Sequence, residues 1–92
     1  MDENRILKVR GDSNVHAVAS KAATLLVERP RDGVHLRAIG ASSVNQAAKA
    51  AAVVRGKVAT HGYDLVTRIG FDRTKAENER ETSVLVFRLD LR

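Results

Sequence analysis

The sequence has no cysteine and no tryptophan, a single proline and a single methionine, and only 3% of its 92 residues are aromatic. Without cysteine the chain has no disulfide, no thiolate metal ligand and no cysteine nucleophile. The aromatic side chains are Tyr63, Phe71 and Phe87. We therefore expect a hydrophobic core built from Ala, Val, Leu and Ile.

Long apolar runs are missing as well. No stretch approaches the ~18 consecutive apolar residues that cross a membrane, and residues 1–4 carry two acids where a signal peptide would turn apolar. We expect a cytoplasmic protein with no membrane partner. A chain of this length corresponds to a single domain, residues 1–92, and 43% hydrophobic with 29% charged residues is typical of a globular protein.

Acidic residues are unevenly distributed along the chain. The chain has 16 Lys and Arg against 11 Asp and Glu, a net charge of +5, which favours an anionic partner. No acid occurs between Asp32 and Asp64, whereas residues 72–81 hold four acids and three basic residues. The positive field should therefore centre on residues 37–58. The alternative is that these basic residues lie on a solvent-exposed helix face and have no binding role.

The hydrophobic pattern predicts the element order β-α-β-α-β-β. Alternation predicts strands at residues 5–10, 34–39, 63–71 and 82–91, and helical spacing predicts helices at residues 15–28 and from 43 to about 61. The fold class is then α+β, a two-layer α/β sandwich with two helices on one face of a mixed four-stranded sheet. Because Gly56 is unfavourable in a helix, a shorter second helix ending at Arg55 is the alternative.

Three local features make this prediction specific. Residues 43–46, Ser-Val-Asn-Gln, match a capping box that would start the second helix. Leu65, Ile69 and Phe71, together with Tyr63, are predicted to share an apolar strand face. Residues 72–81 are predicted to form a hairpin loop.

Residues 38–50 read Ala-Ile-Gly-Ala-Ser-Ser-Val-Asn-Gln-Ala-Ala-Lys-Ala. This run resembles the stage V sporulation protein S family of bacteria, and the resemblance continues at residues 7–9, 54–56 and 62–65. That family is similar to the Alba superfamily of small proteins that bind DNA or RNA and usually form dimers. The resemblance implies an Alba-like β-α-β-α-β-β fold, a regulatory role, a nucleic-acid partner and a homodimer or higher homo-oligomer.

Nucleic-acid binding also agrees with the residues themselves. Phosphate groups are contacted by Lys, Arg, small hydroxyls and the free amides of helix N-termini, and few aromatics argue for backbone contact over base stacking. The candidate binding residues are Arg37, Ser42, Ser43, Asn45, Gln46, Lys49, Arg55 and Lys57. If the second helix does not bind, the surface would lie elsewhere, for instance at Lys8, Arg10 and Arg68.

Each candidate has a structural alternative. Ser43 and Gln46 would be a helix cap only, and the Asn45 amide would tie its turn to a neighbouring strand. At the level of function, the alternatives are a developmental regulator that acts through protein–protein interaction, and a receptor for a small anionic nucleotide. Residues 29–32, Arg-Pro-Arg-Asp, would bind the phosphate and guanine groups of such a nucleotide. Alternatively, they form an ordinary turn.

Catalysis is not expected. His16, His35 and His61 share no spacing typical of a metal site or a catalytic triad. The sequence therefore predicts no enzyme, no metal and no cofactor.

Overall fold

The computed structural model describes residues 2–72 and 84–92. After a 3-10 turn at Glu3–Arg5, the elements are β1 (Ile6–Val9), α1 (Val15–Glu28), β2 (Val34–Ile39), α2 (Ala41–Ala59), β3 (Leu65–Phe71) and β4 (Val84–Leu91). The predicted order is confirmed. The predicted hairpin loop, apart from Asp72, and the first two residues of the predicted last strand lie outside the described residues.

The four strands form one mixed sheet in the order β1-β2-β4-β3. β1 pairs with β2 in parallel, and β4 pairs antiparallel with both β2 and β3. Val34, Leu36 and Ala38 of β2 are fully buried or nearly so, as are Phe87 and Leu89 of β4. These side chains form the sheet's contribution to a core shared with the two helices, and the predicted fold class is confirmed.

Helix α1 has the predicted bounds. Asn14 Oδ1 accepts a hydrogen bond of 2.9 Å from the amide of Ala17 and caps the helix. The helix ends before Arg29, the residue that precedes Pro30 and is therefore disfavoured in helical conformation. Small residues dominate its buried face, which is formed by Ala19, Ala22, Ala23 and Leu26.

The predicted start of α2 is wrong. The helix begins at Ala41, directly after Gly40, which has a φ of 90° and makes no side-chain cap. Because this glycine turns the chain into the helix early, Ser43 lies in the first turn instead of at the cap. The Gln46 amide does not reach back to Ser43: its Nε2 donates to the carbonyl of Ser13, 2.8 Å away.

The longer form of α2 is confirmed. The helix continues through Gly56 to Ala59, and the chain reverses at Gly62, where φ is 86°. The amides of Gly62 and Tyr63 bond to the carbonyls of Ala59 and Val58 respectively, as is typical of a helix that ends in a left-handed glycine.

The core is built from small side chains, as expected. Its largest fully buried members are Leu26, Leu36, Leu89, Val34, Val54 and Val58. Helical spacing from Val44 to Val58 would place Ala48 on the apolar stripe of α2, but Ala48 is exposed and Ala50 is buried. Alanines at the contact between α1 and α2 let the two helices lie close together.

The predicted apolar face of β3 is correct only at its start. The strand begins at Leu65, which is buried, but Ile69 is 59% exposed and Phe71 is 73% exposed. The cause is the course of α2, which begins near β1, where Ser43 and Val9 line one pocket, and ends close to the start of β3. The helix thus crosses the sheet diagonally and leaves the Phe71 end of β3 uncovered.

Candidate nucleic-acid interface

One face of the sheet is not covered by the helices. Successive side chains of a strand point to opposite faces, so residues that alternate with the buried core residues lie on this second face. Strand pairing places Ile6, His35, Arg88 and Arg68 in one row across the sheet, and Lys8, Arg37, Val86 and Gly70 in the next. We define the open sheet face by its basic and histidine residues, which are Lys8, His35, Arg37, Arg68 and Arg88.

Two cations meet near the β3 edge of this face. Arg68 and Arg88 are direct partners in the β3–β4 pairing, an arrangement in which like charges repel. Arg68 Nη2 donates to Asp90 Oδ2 at 3.0 Å, whereas Arg88 has no ion pair within residues 2–72 and 84–92. The repulsion is only partly relieved inside the protein, so a bound anion would stabilise the pair.

His35 lies beside this arginine pair. Burial and then the nearby charge of Arg88 hold the pKa of His35 below its ordinary value. Asp90 acts in the opposite direction but is the weaker influence. The imidazole therefore contributes positive charge to the face only below its ordinary pKa of 6.5.

Arg37 stands apart from the other sequence-predicted residues. It belongs to β2 and faces away from α2, and its Nε donates to Asp72 Oδ2 at 3.0 Å. Asp72 follows directly after β3 and donates its amide to the carbonyl of Val84. Arg37 is thus part of the open sheet face and not of a site on the second helix.

The remaining predicted residues divide between the two ends of α2. Near its start, Ser42 and Asn45 are exposed, Gln46 is half-buried and Ser43 is buried. The amide tie foreseen for Asn45 is made instead by Gln46, which joins α2 to the loop before α1. Lys49, exposed one turn further along, has no ion pair in the part of the chain that is described.

At the far end of α2, Arg55 is paired with an acid and Lys57 lies in a groove between the helices. Arg55 Nε donates to Asp64 Oδ1 at 3.0 Å, and both side chains are exposed. The amide of Leu65 and then Arg55 itself lower the pKa of the Asp64 carboxyl. Lys57 lines a groove of about 590 Å³ between the helices, together with Thr24, Glu28, His61 and their neighbours.

The Arg29–Asp32 turn neutralises much of its own charge. Arg29 Nη1 lies 3.3 Å from Asp32 Oδ2, and Arg29 Nη2 lies 3.8 Å from Asp2 Oδ2. These contacts agree with the interpretation of residues 29–32 as an ordinary turn.

A pocket joins the open sheet face to the start of α2. This strand-end pocket, of about 360 Å³, is lined by Lys8, Val9, Arg10, Arg37, Ile39 and Ser43. From the sequence, Lys8, Arg10 and Arg68 are only an alternative surface, and Arg88 is not among the predicted binding residues. The signal was the alternation of side chains along each strand, which places Lys8 of β1, Arg68 of β3 and Arg88 of β4 on the face opposite the core.

Two kinds of site are not found among the described residues. No three His, Cys, Asp or Glu side chains in these ranges come together as a metal site would require. The helices of the same ranges include none with the length and apolar character needed to cross a membrane.

The model of the stage V sporulation protein S (SpoVS) family matches residues 5–90. The chain belongs to the SpoVS family. The match confirms the resemblance drawn from residues 38–50 and extends it from Arg5 to Asp90. SpoVS is not a known enzyme family, and membership of it supports a regulatory protein connected with sporulation.

Proposed function

We propose that this SpoVS protein binds DNA or RNA through the phosphate backbone, with the open sheet face and the strand-end pocket as its contact surface. The observation that carries the proposal is the Arg68–Arg88 pair on a face that neither helix covers. With Lys8 and Arg37, this face presents four cations against the carboxylates of Asp72 and Asp90.

The chemistry of the face favours contact with phosphates over the reading of bases. Its described apolar members are aliphatic, namely Ile6, Ile39, Val66, Val84 and Val86. Stacking on single-stranded bases uses aromatic side chains, and the described part of the face offers none. Arginine and lysine contacts to phosphates supply affinity without sequence information, so binding would be weakly specific.

The α2 residues enter the proposal in two ways. Ser42, Ser43, Asn45 and Gln46 lie near the strand-end pocket and would extend the contact surface there. Lys49 would add a cation along the exposed side of the helix. Arg55 and Lys57, at the opposite end, would act only if the nucleic acid passes along the whole helix.

We also propose that the protein acts as a homodimer. Ile69 and Phe71 are exposed on the helix side of the sheet, and one stripe of the exposed side of α2 carries only small residues, Ala48, Ala52 and Gly56. A second copy placed there would bury apolar surface and leave both open sheet faces accessible. The same patch would serve a protein partner if the alternative of a regulator acting by protein–protein interaction holds.

Two double variants with the same charge change test the binding surface. Arg68→Gln/Arg88→Gln alters the open sheet face, and Lys49→Gln/Arg55→Gln alters α2. Kd for a duplex and for a single-stranded oligonucleotide is measured across a salt series. Each lost phosphate contact lowers the slope of log Kd against log salt by about 0.7–0.9.

We expect the sheet-face variant to lose affinity and about 1.4–1.8 units of slope, and the α2 variant to lose no more than the single contact of Lys49, about 0.7–0.9 units. A wild-type affinity that is independent of salt would contradict nucleic-acid binding. A loss confined to the α2 variant would instead place the surface on the second helix.

A further inference from the structure

The first turn of α2 carries hydrogen-bond donors that have no partner among the described residues. The first amide to be bonded is that of Val44, which donates to Gly40 at 3.0 Å. The amides of Ala41, Ser42 and Ser43 precede it and make no bond within this part of the chain. Since Gly40 has no side chain to cap them, the positive end of the helix dipole is left open.

The Ser43 side chain is a second and independent observation. The residue is only 8% exposed, and its hydroxyl has no hydrogen-bond partner within the described ranges. Buried hydroxyls are ordinarily bonded, and in helices they often bond back to a carbonyl four residues earlier. Ser43 instead lines the strand-end pocket, so its hydroxyl is reached from the pocket and is not sealed in the core.

Three of the other five residues that line the pocket are basic, and the remaining two are Val9 and Ile39. Lys8 and Arg10 make no ion pair with any described residue, and Arg37 shares its charge with Asp72. The pocket has a volume of about 360 Å³. That is room for a tetrahedral anion and part of the group to which it is esterified.

The pocket is also held in shape before anything binds. Gln46 Nε2 donates to the carbonyl of Ser13, and the amide of Arg10 donates to Ser13 Oγ, both at 2.8 Å. Gly11 approaches α2 so closely that a Cβ there would lie 2.6 Å from Ser42 Oγ. A preformed site avoids the cost of ordering its donors on binding.

We infer that the strand-end pocket binds one phosphate group, with the Ser43 hydroxyl and the first amides of α2 donating to its oxygens and Lys8 and Arg10 supplying positive charge. The inference rests on the proposed function for the source of the phosphate, a nucleic-acid strand. It adds to that function a single recessed site that anchors one phosphate.

The test titrates inorganic phosphate into the ¹⁵N-labelled protein at constant ionic strength set with chloride. We expect saturable shifts of the Ala41, Ser42 and Ser43 amide signals. Ser43→Ala keeps a good helix former in the first turn and removes one hydrogen bond to a charged group, so it should weaken phosphate binding about tenfold. Ser20→Ala, on the exposed side of α1, is the matched control and should bind as the wild type does.

Oligonucleotide binding by the same variants separates the two proposals. If nucleic acid binds with the expected salt dependence, but inorganic phosphate leaves the three amide signals unmoved or Ser43→Ala binds it unchanged, the pocket inference is overturned and the proposed function stands. If phosphate binds in the pocket and nucleic acid does not bind, the pocket stands, its natural ligand is a free phosphate ester, and the proposed function fails. Weakening of both ligands by Ser43→Ala alone supports both proposals.

Discussion

The guanidinium of Arg5 donates through Nη2 to the carbonyl of Leu25, 2.9 Å away and 20 residues along the chain. The same nitrogen bonds the carbonyl of Asp32, and Nε bonds that of Gly33, both at 2.9 Å. Arg5 is 3% exposed, so its charge is buried against backbone carbonyls. It joins the start of β1 to the end of α1 and to the turn before β2.

Arg5→Lys should lower the free energy of unfolding by about 2–3 kcal/mol, because a lysine ammonium cannot reproduce the planar set of bonds to separated carbonyls. Urea denaturation followed by circular dichroism measures the change. Arg31→Lys is the control, since Arg31 is exposed and has no hydrogen bond or ion pair with the described residues. Equal stability of the two variants would show that the Arg5 bonds contribute nothing to the fold.

His35 should titrate below its ordinary pKa of 6.5, because burial and Arg88 both disfavour the charged form. The folded protein then binds this proton less readily than the unfolded chain does. The contribution of neutral His35 to the free energy of unfolding is therefore fully present above pH 6.5, and it is lost as the pH falls through the pKa of the folded state. An NMR titration of the imidazole in the wild type and in Arg88→Gln tests this: the variant pKa should rise part of the way to its ordinary value, and an unchanged pKa would contradict a role for Arg88.

Gly56 and Gly62 should respond to alanine in opposite directions. A Cβ at Gly56, inside α2, meets no atom within 4 Å, so Gly56→Ala should raise the free energy of unfolding by up to about 1 kcal/mol. Gly62 has a φ of 86°, and Gly62→Ala should lower it by about 1–2 kcal/mol. Thermal unfolding of dilute protein compares them. Destabilisation by Gly56→Ala at a concentration where the protein is monomeric would contradict the open space beside Gly56.

Phe71→Ser should weaken the proposed dimer by roughly 10- to 30-fold in dissociation constant, as for the loss of a central apolar contact. Light scattering coupled to size-exclusion chromatography over a concentration series measures this. Ile39→Ser is the matched control, because Ile39 is also an exposed apolar residue, at 51%, but lies on the open sheet face. A wild-type protein that is monomeric at every concentration would contradict the dimer.

The sequence predicted an element well where the residues at its two ends determine where it begins and where it stops. Asn14 caps α1 with its side chain, and Pro30 stops it, so both ends of this helix are encoded by adjacent residues. The start of α2 was mispredicted because two local signals compete there. Gly40, with its positive φ, turns the chain three residues before the capping-box serine. The Gln46 side chain does not complete the capping box, because it donates to the carbonyl of Ser13.

The candidate site was harder to predict, since it depends on pairing between distant strands. Alternation indicates which residues share a strand face, but not whether a helix covers it. Phe71 was therefore assigned to an apolar face that the diagonal course of α2 leaves bare. The opposition of Arg68 and Arg88 follows from the β3–β4 register, and no residue near either arginine in the sequence specifies that register.

The strand order has a consequence for solubility. β1 and β3 lie at the two edges of the sheet, and an exposed edge offers free backbone groups to which another chain can add a strand. Lys8 in β1 and Arg68 in β3 place a charge on each edge strand, a device that discourages such addition and the fibrous aggregation that follows from it. The cations that we assign to phosphate contact thus also protect both edges of the sheet from aggregation.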